Sequence, residues 1–128
     1  MEVFDAVRTV LAVRSYKERP VPPDLVRRIV EAGRLTGSAV NGQPWHFIVI
    51  DDQEILHRLG TLALTGPYVA SAPLAIVVAI QRTKFSVADA GRAIQSMILT
   101  AWSEGVAPTG LGSWDWTKLS HSSAYQMN

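Results

Sequence analysis

The stretch that most constrains this chain is the apolar run at positions 74–80, Leu-Ala-Ile-Val-Val-Ala-Ile. A strand with one wet face alternates apolar and polar residues, and this run does not alternate. It therefore predicts a strand covered on both faces. It is also the longest apolar run in the chain and falls far short of the roughly 20 residues that span a bilayer. The cover must come from the rest of the sequence.

Much of that sequence has helical period. Val3, Phe4, Val7, Val10 and Leu11 predict an opening amphipathic helix. Pro22, Pro23 and Asp24 predict a second helix start, with Leu25, Ile29 and Ala32 on one face and Gly37 as its stop. Positions 46–50 read as a second strand from their β-branched and aromatic content. Asp52 is placed to cap a third helix whose buried stripe is Ile55, Leu56, Leu59 and Leu62, broken at Thr65, Gly66 and Pro67. Ser86 and Asp89 have the spacing of a capping box opening a long fourth helix. Ile94, Met97, Ile98, Ala101 and Trp102 supply its apolar face, and Gly105 ends it. The mixture fits an α/β or α+β class.

With 128 residues, 48% of them hydrophobic, the chain can bury one core. Twelve basic and eleven acidic residues leave a formal charge of +1, without the clustered Lys and Arg of a nucleic-acid binder. Without cysteine there is no disulfide, thiolate metal site or Cys nucleophile. Glu2 and Asp5 interrupt any secretory apolar stretch at the start. A soluble cytoplasmic protein with no membrane and no nucleic-acid partner is expected.

Glycine-rich phosphate loops and the nucleophile-elbow motif are absent. His46, His57 and His121 lack metal-ligand spacing, so no metal is expected, and His46 and His57 fit structural or surface roles better than catalysis. Asp51 and Asp52 imitate a carboxylate pair, but their place before a helix favours capping. Two polar segments remain. Arg14, Ser15 and Lys17 offer a guanidinium fork, a hydroxyl and an ammonium suited to an anionic group. Taken alone, that segment fits a solvated basic turn better. Asn41 and Gln43 place two carboxamides on one loop before Pro44 and Trp45. Each can donate and accept, which suits a ligand of alternating acceptors and N–H groups such as a flavin. The competing reading is a self-bonded turn. Trp45 fits a core role better than a stacking platform.

Together these segments resemble the nitroreductase family of FMN-dependent oxidoreductases. The resemblance runs through Arg14-Ser15-Tyr16, the Pro-Val-Pro-Pro turn at 20–23, and Ser-Ala-Val-Asn-Gly-Gln-Pro-Trp-His-Phe-Ile-Val at 38–49. It continues through Ala72-Pro73 and Asp89-Ala90-Gly91 to Gln95, Met97, Leu99 and Ala101, covering nearly all of residues 1–105. It implies an α+β fold, three-layer α/β/α with a central mostly antiparallel sheet, and an intertwined homodimer with FMN at its interface. It also implies that Arg14, Ser15 and Lys17 serve the phosphate and ribityl end or the ring edge, and that Asn41 and Gln43 serve the flavin. Val13 stands where many members carry a basic residue, so one phosphate contact is expected to be missing. The implied activity passes electrons from NAD(P)H through FMN to a small-molecule acceptor such as a nitroaromatic or quinone. The flavin carries that chemistry, and no catalytic side chain is assigned. The alternative is a chain that binds flavin, or has lost it, without turnover.

After Gly105 the character changes. Glycines and serines are interspersed with Trp114, Trp116 and Tyr125, and no period survives. The family continues beyond this helix with a G-x-N-W-V-G-F-like segment that residues 106–128 lack. With one permitted choice of codons, those residues back-translate to a string that encodes GANWVGFVGLDEVKPLLGIPDE when read from the third nucleotide. The expectation is a family domain over 1–105, incomplete at its C-terminal side, followed by a frameshifted tail. Such a chain is expected to be unstable and flavin-poor.

Overall fold

The computed structural model describes residues 1–63 and 66–110; Thr65 of the expected helix break, and Trp114, Trp116, His121 and Tyr125 of the tail, lie outside them. The elements in chain order are α1 (Val3–Thr9), α2 (Pro23–Arg34), a 3-10 turn (Ala39–Asn41), β1 (Trp45–Ile50) and α3 (Gln53–Leu62). A second 3-10 segment (Pro67–Ser71), β2 (Ala75–Ile80) and α4 (Ser86–Ser103) follow. Among the described residues, no helix is long and apolar enough to cross a membrane.

β1 and β2 pair antiparallel, with Phe47 opposite Val78 and Ile48 opposite Val77. Alternation then divides their side chains between two cores. On one face Ile48, Ala75 and Val77 pack with Ile50 against Leu56 and Leu59 of α3 and Val69 of the second 3-10 segment. On the other, Phe47, Ile76 and Val78 pack on Ile29 of α2 and Met97 and Ala101 of α4. The fold is thus α+β with helices on both sides of an antiparallel sheet. The unalternating run is explained, because both faces of β2 meet apolar neighbours. Its residues are nevertheless half-buried, and Ile80 is 37% exposed. Among the described residues each strand has a neighbour on one side only.

Local chemistry sets the element ends. Asp52 caps α3, its Oδ1 accepting from the Ile55 N–H at 3.1 Å. Pro23 opens α2 at a position that lacks an intrahelical N–H bond anyway. Gly105, at φ +81°, closes α4 in a Schellman motif. There the Val106 N–H donates to Ala101 O (2.9 Å), the Gly105 N–H donates to Trp102 O (3.1 Å), and Val106 packs on the second core.

Three expectations are corrected. Ser86 and Asp89 form no capping box: Ser86 Oγ bonds back to Thr83, and the Asp89 carboxylate leaves its own helix for the N–H of Ala39. A partner 50 residues away outcompetes the local bond. Gly37 does not stop α2, which ends at Arg34 through Leu35 in right-handed geometry. The apolar stripe of α1 is not buried either. Val3, Phe4, Val7 and Leu11 are more than half exposed and Ala6 is the residue inside, because α1 is attached on its Thr9 side, where Trp102 Nε1 donates to Thr9 Oγ1 at 2.9 Å.

α3 lies close on the Pro67–Ser71 segment at Gly60, where a Cβ would stand 2.6 Å from Ala70 Cβ. Gly91 of α4 is the opposite case, with nothing within 4 Å of an added Cβ. Gly60→Ala is expected to destabilise the chain by about 1–3 kcal/mol through overpacking. Gly91→Ala is expected to stabilise it by roughly 0.5–1 kcal/mol through helix propensity. Urea denaturation of the two variants checks both signs.

Candidate functional site

Between α2 and β1 the chain crosses the start of α4 in a tightly folded loop. Val40, Asn41 and Gln43 all have positive φ, at 49°, 53° and 46°. Asparagine tolerates that region, but a β-branched valine does so at a cost of roughly 1–2 kcal/mol. Val40 is 99% exposed, so packing within the chain does not repay it. Hydrogen bonds hold the loop instead. The Asn41 N–H donates to Ser38 O and the Gly42 N–H to Ala39 O, both at 3.0 Å. The Gln43 N–H donates to Ser38 Oγ at 2.9 Å, and the Ala39 N–H donates to the buried Asp89 carboxylate at 3.1 and 3.3 Å. At the end of the sheet the Gln81 N–H donates to Pro44 O at 2.8 Å.

The loop brings the two predicted carboxamides together. Gln43 Nε2 donates to Asn41 Oδ1 at 2.8 Å. This pairing turns Asn41 Nδ2 into an outward donor and Gln43 Oε1 into an outward acceptor. Both side chains are exposed. A pocket of about 120 Å³ opens beside the loop, lined among others by Val40, Gly42, Gln81, Phe85 and Asp89. Trp45 is 7% exposed, its ring 6.0 Å from that of Phe47, which makes it core.

Arg14, Ser15 and Lys17 lie exposed on the irregular connection between α1 and α2. The Arg14 guanidinium sits over the Tyr68 ring, 5.7 Å from its centroid, in cation–π geometry. Tyr16 completes the cluster. Burial pushes its phenol above the ordinary value, Tyr68 adds to the rise and Arg14 opposes it. Among the described residues, no hydrogen bond or ion pair joins this basic segment to the carboxamide loop.

The sequence reading missed Ser38, Tyr68 and Asp89 as parts of this arrangement. Asp89 carried a usable signal, since it shares a helical stripe with Arg92 and Ser96, polar residues recurring at helical spacing along α4. His46 and His57 are exposed.

The profile of the Nitroreductase family matches residues 8–81. A Methanothermobacter thermautotrophicus protein, provisionally named NADH dehydrogenase/NAD(P)H nitroreductase, is 34% identical over 117 residues, covering 88% of this chain and 61% of its own length. A solved structure of an FMN-dependent nitroreductase from Clostridium difficile matches with a TM-score of 0.76 at 28% identity, over 80% of this chain and 61% of that one. A provisionally named nitroreductase from Desulfovibrio desulfuricans, solved in complex with FMN, matches with a TM-score of 0.70 at 32% identity, over 80% of this chain and 63% of that one. The chain thus spans about three fifths of the length of these relatives. The profile runs from the approach to the basic segment through the carboxamide loop to the end of β2, and on that match the chain belongs to the nitroreductase family.

Proposed function

We propose that this chain serves an FMN-dependent oxidoreductase that passes electrons from NAD(P)H to a small acceptor such as a nitroaromatic or quinone. The observation that carries the reading is the Asn41–Gln43 pair, an outward donor beside an outward acceptor on a loop held in left-handed geometry. That donor set fits the alternating carbonyl and N–H edge of a flavin. Arg14 and Lys17 offer exposed cations for the phosphate, and Ser15 adds a hydroxyl donor. Bound FMN supplies the redox chemistry, a two-electron relay between nicotinamide and acceptor. The side chains bind and orient it, and none is assigned to a chemical step.

The exposed apolar face of α1 supports a second proposal, a homodimer. Met1, Val3, Phe4, Val7 and Leu11 are each 53–75% exposed on this short element and the chain beside it. Burying such side chains is worth roughly 1.5–3 kcal/mol each, and a second copy of the chain presents the same apolar stripe. A cytoplasmic location fits this reading. We also propose that the sequence from Val106 onward follows a change of reading frame. The coding DNA decides it: a family-like peptide in the shifted frame supports the reading, and its absence ends it.

Charge-assisted phosphate bonds are worth roughly 1.5–3 kcal/mol each, so Arg14→Ala is expected to weaken FMN binding about ten- to a hundredfold by flavin fluorescence quenching. Unchanged affinity removes Arg14 from the site. Bleaching of bound flavin by NAD(P)H under anaerobic conditions separates an electron-transferring chain from one that only binds. For the dimer, Val3→Lys with Phe4→Lys is expected to move the protein from dimer to monomer in sedimentation. A parent chain that is already monomeric with stoichiometric FMN counts against the dimer.

A further inference from the structure

Asp89, Arg92 and Ser96 lie along one stripe of α4, and each reaches a residue on the same short segment. The Thr36 hydroxyl bonds Ser96 Oγ at 2.8 Å, Arg92 Nη2 donates to Gly37 O, and the Asp89 carboxylate accepts from the Ala39 N–H. The helix rises about 1.5 Å per residue, so the stripe presents its groups at successive heights, and the segment from 36 to 39 runs antiparallel beside it. At its far end the chain is pinned again by the Gln81–Pro44 bond. Only residues 40–43 lie between the two clamps, and three of those four carry the positive φ values.

We propose that Asp89 is a positioning residue for flavin binding. Together with Arg92 and Ser96 it clamps the entry to the loop, so that Val40, Asn41 and Gln43 are held left-handed and the two carboxamides stay paired and outward. This inference rests on the reading of Asn41 and Gln43 as flavin ligands. It concerns a residue 97% buried whose carboxylate is taken up by the Ala39 N–H. Strained backbone persists only where its surroundings over-determine it. Apparent affinity falls with the population of the competent conformer, so a loop competent about a tenth of the time binds about tenfold more weakly.

The test uses the full chain and two readouts, FMN affinity by fluorescence quenching and hydrogen exchange of the Ala39 amide without FMN. Asp89→Ala is expected to abolish protection of that amide and raise the FMN dissociation constant about tenfold. Asp89→Asn keeps an acceptor oxygen and is expected to recover part of both. Val40→Gly, which removes the left-handed penalty, is expected to restore most of the affinity lost in Asp89→Ala without restoring amide protection. A merely structural role would not produce that split. Arg92→Ala, at an exposed position, is expected to weaken FMN in the same direction, and serves should Asp89→Ala not fold. Parent-like affinity in folded Asp89→Ala or Arg92→Ala overturns the positioning role, as does a loss that Val40→Gly leaves unchanged. Failure of the parent chain to bind FMN overturns the flavin reading and the affinity claim with it. Parent binding matched by the variants overturns the positioning role alone.

Discussion

α2 approaches α4 and β1 closely at Gly33, where the Met97 and Phe47 side chains fill the space a Cβ would take. A Cβ on Gly33 would stand 2.9 Å from Met97 Sδ and 3.0 Å from Phe47 Cζ, closer than such atoms sit without something moving. This contact joins α2, α4 and β1. It seats α2 on the sheet through Phe47 and locks it to α4 through Met97, which belongs with Ile29 and Ala101 to the core on that face. α2 ends one residue later, at Arg34. The residues after Arg34 therefore emerge beside the first turns of α4, within reach of Ser96, Arg92 and Asp89. Small residues make this possible along the whole contact, since Ala90, Ala93 and Ala101 are all buried on α4. Larger side chains there would hold the helices apart and leave the polar stripe without its partners.

Burial of Asp89 follows from that geometry and needs compensation. A buried carboxylate loses its water, and the loss is tolerable only where donors and favourable fields replace it. The Ala39 N–H faces both oxygens, and the carboxylate lies in the first turn of α4, where the helix dipole favours negative charge. The second buried polar residue of this region, Ser86, satisfies its hydroxyl on Thr83. Among the described residues, no buried side-chain polar atom lacks a partner. The helix start is thus committed to holding loops on either side of it rather than to capping itself.

Legibility in the sequence followed the range of the interaction. The unalternating run at 74–80 announced a strand with two apolar faces because alternation is a property of the strand itself. Asp52 and Gly105 were readable for the same reason, each acting within a few residues of its own position. The Asn41–Gln43 pair was legible as chemistry, although its left-handed geometry was not. Asp89 was misread because a capping-box spacing is a local signal, and its true partner lies on another element. Arg14 posed the same difficulty, since nothing near it in sequence points to Tyr68. Helical period located α1 but could not say which face meets the fold. The deciding contact, Trp102 with Thr9, spans 93 residues.

Magnitudes explain why a valine survives at φ 49° in the loop between these anchors. Left-handed conformation costs roughly 1–2 kcal/mol there, and Gln43 at φ 46° adds a similar cost. Against this stand charge-assisted bonds to Asp89 and from Arg92, each worth roughly 1.5–3 kcal/mol, and neutral bonds through Ser38 Oγ, Ser96 and Pro44, each worth about 0.5–1.5 kcal/mol. The anchors outweigh the strain, so the loop is stable as a unit even though Val40 disfavours its own backbone. Removing any one neutral bond leaves the balance favourable. Removing a charged one brings the remaining bonds closer to the strain once the cost of ordering the loop is included. The loop therefore depends on Asp89 and Arg92 more than on its neutral partners, and side chains of α4 govern the arrangement of the two exposed carboxamides.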